Sequence, residues 1–148
     1  PELSMSTIQN APTVPVRTIL LAHDQQESPE ARKHFLELAG FTVELVKNHA
    51  ELMARLSAAS PALAVIDVLL EGKTGFDATR EIRERTKARP FPIVLCSQVY
   101  RLRTFRDEAL RCGAQEYLLL PLPPDEFVRR IQHVLATFAR PAGKSAAA

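Results

Sequence analysis

The sequence predicts an α/β domain built around a parallel β-sheet. Short apolar runs rich in β-branched residues alternate with amphipathic stretches five times along the chain, which is typical of βα units. Three of the five runs are continuously apolar, as expected for strands covered by helices on both faces. A chain of 148 residues is long enough for one domain with a sizeable core.

The five apolar runs give the predicted strands, and each ends where polar or turn-forming residues begin. These strands cover residues 16–22, 42–47, 62–67, 91–97 and 115–119. The first predicted helix has Ser28 as its N-cap and Gly40 as its stop, and its predicted apolar face carries Phe35, Leu38 and Ala39.

The remaining helices fall in the other gaps between strands. The second begins at Asn48 with Glu51 at capping-box-like spacing, the third follows Gly75, and the fourth covers residues 104–112 before Gly113. The fifth opens at the segment PPDEF. Its apolar stripe at helical spacing is predicted to be core and consists of Phe127, Ile131, Val134, Leu135 and Phe138.

The two ends of the chain differ from this pattern. Residues 1–15 are polar, interrupted by prolines and without periodicity, and residues 141–148 are similar. We therefore predict a disordered leader at 1–15, a single domain at 16–140 and a disordered tail at 141–148.

Charge and cysteine content narrow the class of protein. A net charge of +2 from 19 basic and 17 acidic residues gives no reason to expect nucleic acid or a membrane surface as a partner. Cys96 and Cys112 form no CxxC pair, which favours free thiols in a reducing cytoplasm. No apolar run approaches the roughly 20 residues of a membrane span. We expect a cytoplasmic protein whose partners are proteins.

Candidate functional residues lie where the predicted strands end. In an open parallel sheet, ligands bind beyond the carboxyl ends of the strands, so Asp24, Asp67 and Ser97 are the first candidates. Converging carboxylates of Asp24 and Asp67 would favour a hard cation such as Mg²⁺. The alternative is that each aspartate merely caps a loop or a helix.

Other motifs give weaker signals. The GKT at residues 72–74 lacks the first glycine of a phosphate-binding loop, because Asp67 stands there. The His23–Asp24 pair ends a strand and has no helical histidine partners, so a metal phosphohydrolase is not indicated. Cys96 has no obvious base partner and is expected to be a core residue.

Four segments, in this order and spacing, resemble the receiver domains of two-component response regulators. They are TILLAHDQQ, VIDVLLEGKTGFD with Gly75 eight residues after Asp67, PIVLCS, and GAQEYLLLPLPPDEF, and the resemblance covers residues 17–140. It implies a flavodoxin-like, doubly wound sandwich with strand order 2-1-3-4-5, as in CheY-like proteins. It also implies that Asp67 is the phosphoacceptor and Ser97 the phosphate-binding hydroxyl.

The resemblance further implies a Mg²⁺ site made by Asp24, Asp67 and the backbone carbonyl of Leu69, which we expect to be weak. Four positions depart from the family pattern. They are His23 in the acidic pair, Glu71 in place of a proline, Gln98 in place of a small residue, and Leu120 in place of the lysine.

Leu120 is the departure with the largest chemical consequence, because it offers no charge to a phosphoryl group. Gln98 should crowd the approach of a phosphodonor. His23 is expected to be a neutral residue in an inactive site; the alternative is an imidazolium that partly replaces the lysine. The usual site of the family has three carboxylates and one lysine. The site of this chain has two carboxylates and no lysine, which gives it the same net charge, so weak Mg²⁺ binding is still expected.

The sequence thus predicts an atypical receiver in bacterial phosphorelay signalling. It is expected not to be an enzyme and to act through protein–protein interaction, with impaired or absent phosphorylation. The alternative is a functional phosphoacceptor that a histidine kinase phosphorylates on Asp67. A flavodoxin-like enzyme that binds a nucleotide or flavin has no supporting motif.

The resemblance implies an interaction surface on the face made by helix four, strand five and helix five. Tyr117 stands at the switch aromatic of the family and is predicted to keep one rotamer and to anchor a partner, either a histidine kinase, a downstream target or a second copy of the chain. The alternative is an arginine-rich surface that only aids solubility. The arginines of this face are Arg101, Arg103, Arg106, Arg111, Arg129 and Arg130.

Overall fold

The computed structural model of the protein describes residues 17–24, 28–87 and 90–138. The predicted leader at 1–15 and the predicted tail at 141–148 lie outside the described residues. Five parallel strands form one sheet of order β2-β1-β3-β4-β5, which confirms the predicted doubly wound topology. The strands are β1 (Thr18–Ala22), β2 (Thr42–Val46), β3 (Leu63–Asp67), β4 (Ile93–Ser97) and β5 (Glu116–Leu119).

One helix follows each strand. The helices are α1 (Glu30–Leu38), α2 (His49–Ala58), α3 (Gly75–Arg85), α4 (Arg103–Cys112) and α5 (Pro124–Phe138). All five agree in place with the sequence prediction, and the strand ends differ from it by at most two residues at either end. Such differences are ordinary, because hydrogen bonding decays gradually at the ends of strands.

Local sequence signals account for several helix ends. Asn48 caps α2, because its Oδ1 accepts a hydrogen bond from the Glu51 N–H at 2.7 Å, and Glu51 Oε1 accepts from the Lys47 N–H at 3.0 Å. Thr74 caps α3 through its Oγ1, which accepts from the Asp77 N–H at 3.2 Å. Gly113 ends α4 with φ +109°, a left-handed conformation that favours glycine.

The start and the buried face of α1 correct two sequence predictions. Pro29, not Ser28, occupies the N-cap position, and it makes no side-chain capping hydrogen bond. The fully buried residue of α1 is Leu36, whereas Leu38 is 70% exposed. The prediction that Leu38 and Ala39 face the core was wrong, because the helix turns Leu36 toward the sheet and leaves both of them outside.

The core consists of two apolar clusters, one on each face of the sheet. The first packs β-strand residues such as Ile66 and Leu95 against α2, α3 and α4. The second packs the other side of the strands, including Leu21 and Val65, against α1 and α5. Burial on both faces explains the continuous apolar run of β3, whose five residues are all buried.

Helix α5 completes the second cluster. Phe127, Ile131 and Val134 are buried as predicted, and Leu135 packs against the cluster while partly exposed. Phe138 is only half-buried at the end of the helix. No helix within the described parts of the chain is long and apolar enough to cross a membrane.

Candidate functional site

The candidate site lies at the carboxyl edge of the sheet, where three strand ends meet. Ala22 of β1 is in register with Ile66, so the segment after β1 leaves the sheet beside the end of β3 at Asp67. On the other side of β3, Asp67 is in register with Cys96. The sequence candidates at the ends of β1, β3 and β4 therefore share one edge, where ligands bind in open α/β sheets.

Asp67 is almost fully buried, with 1% of its surface exposed. Its Oδ1 accepts a hydrogen bond from the backbone N–H of Leu69 at 2.8 Å, which orients the carboxylate and the loop after β3 together. Asp24 is half-buried two residues beyond the end of β1. That the two carboxylates converge on one cation stays a prediction.

His23 extends β1 by one backbone hydrogen bond. Its N–H donates to the Val46 carbonyl at 3.1 Å, and its ring Nδ1 lies 3.2 Å from the backbone carbonyl oxygen of Asp24. A hydrogen bond at that contact requires the proton on Nδ1. The neutral Nδ1–H tautomer and the imidazolium both carry that proton, so both alternatives for His23 stay predictions.

An ion-pair network holds the loop that follows Asp67. Glu81 of α3 accepts from Lys73 at 2.8 Å and contacts the His49 ring at 2.7 Å. These hydrogen bonds, that of Lys73 first, lower the pKa of Glu81 to about 2. Glu71 is exposed, and its carbonyl accepts from the His49 N–H at 2.8 Å. The loop is thus tied to both α2 and α3.

Ser97 is fully buried, and its hydroxyl serves the loop between β4 and α4. Its Oγ accepts hydrogen bonds from the backbone N–H groups of Val99 at 3.0 Å and Tyr100 at 2.9 Å. Gln98, the next residue along the chain, is exposed. Because both backbone groups donate to the lone pairs of Oγ, the hydroxyl proton of Ser97 is left to donate to another acceptor.

Tyr117 lies under the surface rather than on it. Only 4% of the residue is exposed, its hydroxyl donates to the Tyr100 carbonyl at 2.6 Å, and its ring is stacked on Phe76 at 6.4 Å. Burial raises the pKa of the Tyr117 hydroxyl. The side chain offers little surface of its own but lines the groove between α4 and β5, and its role as an anchor for a partner stays a prediction.

Leu120 is buried in the apolar cluster beneath α1 and α5, with 4% exposed. Its N–H donates to the Ser97 carbonyl at 2.9 Å, and its own carbonyl accepts from Arg101 Nη1 at 2.7 Å. The side chain lines a cavity whose lining residues include neither Asp24 nor Asp67. Leu120 thus supplies apolar surface at a position where the resemblance implies a cation.

Two arginine contacts near Leu120 were not predicted from the sequence, that of Arg32, which was not a candidate, and that of Arg101, which was predicted only as part of the arginine-rich face. Arg32 of α1 lies four residues before the buried Leu36, which is the helical spacing that puts both on one face. Its Nη1 is 3.8 Å from Cys96 Sγ, at the end of β4. That spacing could have identified Arg32, whereas nothing in the sequence pointed Arg101 to the Leu120 carbonyl.

The arginine-rich face contains a groove between α4 and β5. Arg111 pairs with Glu108 of its own helix at 3.1 Å, and Arg130 pairs with Glu116 at 3.1 Å. Within residues 17–24, 28–87 and 90–138, no ion pair is found for the exposed arginines 103, 106 and 129. The groove is lined by Arg101, Leu102, Arg103, Arg106, Asp107, Leu110, Tyr117 and Leu119.

No cluster of three or more histidine, cysteine or acidic residues that could hold a metal occurs in the part of the chain that the structure describes. The possible donors at the sheet edge are two carboxylates and backbone carbonyls. They are all oxygen atoms, which suits Mg²⁺ in kind, although two carboxylates are a small donor set.

Comparison with known proteins agrees with this architecture. The sequence profile of the response regulator receiver domain matches residues 19–132. The transcriptional regulatory protein GltR of Pseudomonas aeruginosa is 35% identical over 124 residues, which are 80% of this chain and 49% of GltR. The phosphate regulon transcriptional regulatory protein PhoB of Rhizobium meliloti is 26% identical over 79% of this chain and 51% of PhoB. The chain thus spans about half the length of these two relatives.

Solved structures show the same fold. A putative response regulator from Chloroflexus aurantiacus superposes with a TM-score of 0.75 at 24% identity, covering 82% of this chain and 99% of that one. The receiver domain of a signal transduction histidine kinase from Syntrophus aciditrophicus gives 0.73 at 26% identity, covering 85% and 95%. The extent of the profile match and the shared topology lead to one assignment. The chain belongs to the response regulator receiver domain family.

Proposed function

We propose that this receiver is atypical and acts mainly by binding other signalling proteins, with phosphorylation of Asp67 impaired or absent. The observation that carries the proposal is Leu120, which is 4% exposed among apolar side chains where the family has a lysine. In this role the chain is a signalling module and not an enzyme. Its proposed setting is the bacterial cytoplasm, where the free thiols of Cys96 and Cys112 stay reduced.

The proposal follows from what phosphoryl transfer requires. Catalysis of that transfer is almost entirely positioning and electrostatic stabilisation of the equatorial oxygens. Leu120 provides neither a charge nor a donor to those oxygens. The Ser97 hydroxyl accepts two backbone hydrogen bonds and keeps its proton as a donor, so Ser97 alone would remain to bind them. Gln98 adds bulk at the rim of the site. The missing cation at position 120 lowers the stability of a phosphoryl group on Asp67, and the bulk of Gln98 hinders its delivery.

A weak Mg²⁺ site belongs to the same proposal. Asp24, Asp67 and the carbonyl of Leu69 would hold the ion, and the bound ion would neutralise negative charge at the sheet edge. Leu69 follows the Asx-type turn at Asp67, whose Oδ1 accepts its N–H. That turn keeps the Leu69 backbone close to the carboxylate.

Incubation with acetyl phosphate and Mg²⁺ is expected to leave the protein largely unmodified, as measured by intact mass. Leu120→Lys should raise the phosphorylated fraction several-fold, because it restores an ammonium group where the resemblance implies one. Leu110→Lys is the matched control, since it adds the same charge at a 45% exposed position on α4. Its phosphorylated fraction should equal that of the unmodified sequence.

The competing function is a working phosphoacceptor. A stoichiometric mass gain in the unmodified sequence that disappears in Asp67→Asn would establish it and contradict the proposal. A Leu120→Lys variant that gains no more phosphate than Leu110→Lys would show that position 120 is not what limits the site.

The α4–β5 groove is the proposed binding surface. Leu102 and Leu110 line it and are 69% and 45% exposed, so the groove offers apolar surface to a partner. Arg103 and Arg106 line the same groove. Apolar side chains beside cations suit an amphipathic acidic segment on a histidine kinase or a downstream target.

The two arginines singled out from the sequence differ in their contacts, and this difference decides which of them to substitute. Arg111, singled out from the sequence together with Arg106, is paired with Glu108 of its own helix. Arg106 lines the groove, whereas Arg111 is not among its lining residues. We therefore assign Arg106 the larger contribution to partner binding.

Charge reversal by Arg106→Glu is expected to weaken partner binding about tenfold, or about 1.4 kcal/mol, while the melting temperature stays unchanged. The measurement is quantitative pull-down of the cognate kinase or target from the native host. Lys87→Glu is the control, since it makes the same charge change at an exposed position at the end of α3.

Equal retention of the partner by Arg106→Glu and Lys87→Glu would rule the groove out. Sedimentation of the purified protein tests the possible homodimer separately. Self-association that Arg106→Glu abolishes would make a second copy of the chain the occupant of the groove, in place of an acidic partner.

A further inference from the structure

A second concave site lies on the opposite side of the sheet from the α4–β5 groove. It is a cavity of about 160 Å³ between α1, the loop after β5 and the start of α5. We call it the α1–α5 cavity. Its walls are mostly apolar and include Phe35, Leu120, Leu122 and Phe127, and its polar lining residues are Arg32 and Gln98.

Arg32 is the unusual member of this lining. Its Nη1 lies 3.8 Å from Cys96 Sγ, and a thiol sulfur is only a weak hydrogen-bond acceptor. Its Nη2 is buried and has no hydrogen-bond partner among the described residues. A buried guanidinium nitrogen without an acceptor is costly, so an acceptor that enters the cavity would remove this cost.

The shape and chemistry of the cavity define a class of ligand. A cavity of about 150 Å³ is known to hold a molecule the size of benzene. A planar guanidinium recognises a carboxylate through two parallel hydrogen bonds. The apolar walls disfavour a small, strongly hydrated anion such as phosphate, because its oxygens would lose water without finding donors.

Leu120 links this cavity to the altered phosphorylation site. A lysine here would place a second cation beside Arg32, whereas leucine gives the cavity an apolar wall. The substitution that deprives the phosphoryl site of its cation therefore also makes the cavity suitable for an apolar ligand. The backbone carbonyl of Leu120 accepts a hydrogen bond from Arg101, which lines the α4–β5 groove.

We propose that the α1–α5 cavity binds a small monocarboxylate with a compact apolar body, and that Arg32 is the residue that recognises its carboxylate. The apolar body packs against Phe35, Leu120 and Phe127. The terminal torsions of the Arg32 side chain turn its guanidinium toward the ligand oxygens. This binding site is independent of whether Asp67 accepts phosphate.

Benzoate is the probe, and its binding is measured by titration followed in ¹H–¹⁵N spectra and by calorimetry. We expect saturable binding with a dissociation constant of about 1 mM or tighter, which is typical for a ligand of this size. Benzyl alcohol, which has the same ring without the charge, should bind at least tenfold more weakly. The shifted amide signals should belong to residues around the cavity.

Two variants test the role of Arg32. Arg32→Gln should reduce benzoate affinity at least tenfold and leave benzyl alcohol affinity unchanged. Lys33→Gln is the matched control on the same helix, where Lys33 pairs with Glu37 at 3.3 Å, and it should bind benzoate like the unmodified sequence. Melting temperatures with and without benzoate provide a second measurement, because ligand binding stabilises the folded state.

Three results would overturn the proposal. The first is benzoate affinity that Arg32→Gln does not change. The second is equal affinity for benzoate and benzyl alcohol, which would mean that only the apolar walls bind. The third is competition by inorganic phosphate at the benzoate concentration, which would show a site for simple anions.

Discussion

Gly75→Ala is expected to lower the free energy of unfolding by about 3 kcal/mol, although alanine is the better helix former by about 1 kcal/mol. A Cβ at this position would lie 2.9 Å from the Asp67 carbonyl oxygen, 2.9 Å from Val68 Cα and 3.1 Å from Leu95 Cδ2. Two of these atoms are backbone and cannot rotate away. The helix must therefore move away from the strand.

This close approach is what allows α3 to begin directly beside the end of β3. The Gly75 N–H donates to the Val68 carbonyl at 2.9 Å, so the first residue of the helix is bonded to the loop after Asp67. Moving α3 outward should also move Asp67. We expect amide signals of Asp67 and Leu69 to shift in Gly75→Ala, and urea denaturation to report the loss of stability.

Gly40→Ala is the matched control for this substitution. Gly40 has φ +100°, and apart from its chain neighbours no atom of the described residues lies within 4 Å of an added Cβ, so only backbone strain of about 1 kcal/mol is expected there. If Gly75→Ala costs no more than Gly40→Ala, the contact between α3 and β3 is not tight. The Asp67 signals should stay in place in Gly40→Ala.

The order of strands and helices could be predicted because the sequence alternates consistently. Val65 and Ile66 belong to a run that is apolar on both faces, which only a covered strand explains, and Gly40 and Gly113 stop helices where the apolar pattern ends. These signals are local. Positions at the strand ends, such as Asp67 and Ser97, follow from them directly.

The direction in which side chains point was harder to predict. In α1, Phe35 fits two overlapping apolar faces, and the one that the structure buries contains Leu36 and the charged Arg32. A rule that places apolar residues inside therefore selects the wrong face. The same problem arises in strand β5, because its run of apolar residues does not predict whether the Tyr117 side chain points into the core.

Contacts between residues far apart in the chain were the other feature of the site that the sequence did not predict. Arg101 bonds the Leu120 carbonyl, and Arg32 contacts Cys96, and each pair joins residues far apart in the chain. Nothing in the local pattern of an arginine on a helix or loop says which carbonyl or thiol it will meet. Such contacts depend on tertiary packing, which local propensity does not encode.

Arg83→Met is expected to lower the free energy of unfolding by about 3 kcal/mol, since hydrogen bonds to a charged group contribute about 1.5 to 3 kcal/mol each and are not additive. The guanidinium of Arg83 donates to the Gly113 carbonyl at 2.9 Å, to the Phe91 carbonyl at 2.6 Å and to Gln115 Oε1 at 2.8 Å. One side chain of α3 thus holds the end of α4 and the segments that enter β4 and β5.

Burial lowers the pKa of the Arg83 guanidinium, which nevertheless stays charged at any physiological pH. Arg85→Met is the control two residues along the same helix, where a 60% exposed arginine makes an ion pair with Glu81. That substitution should cost less than 1 kcal/mol. Arg83→Lys should recover little of the stability, because an ammonium group cannot reach three acceptors that a planar fork spans. Urea denaturation of the three variants measures these changes in the free energy of unfolding. An equal loss for Arg83→Met and Arg85→Met would mean that the three hydrogen bonds of Arg83 do not hold these segments together.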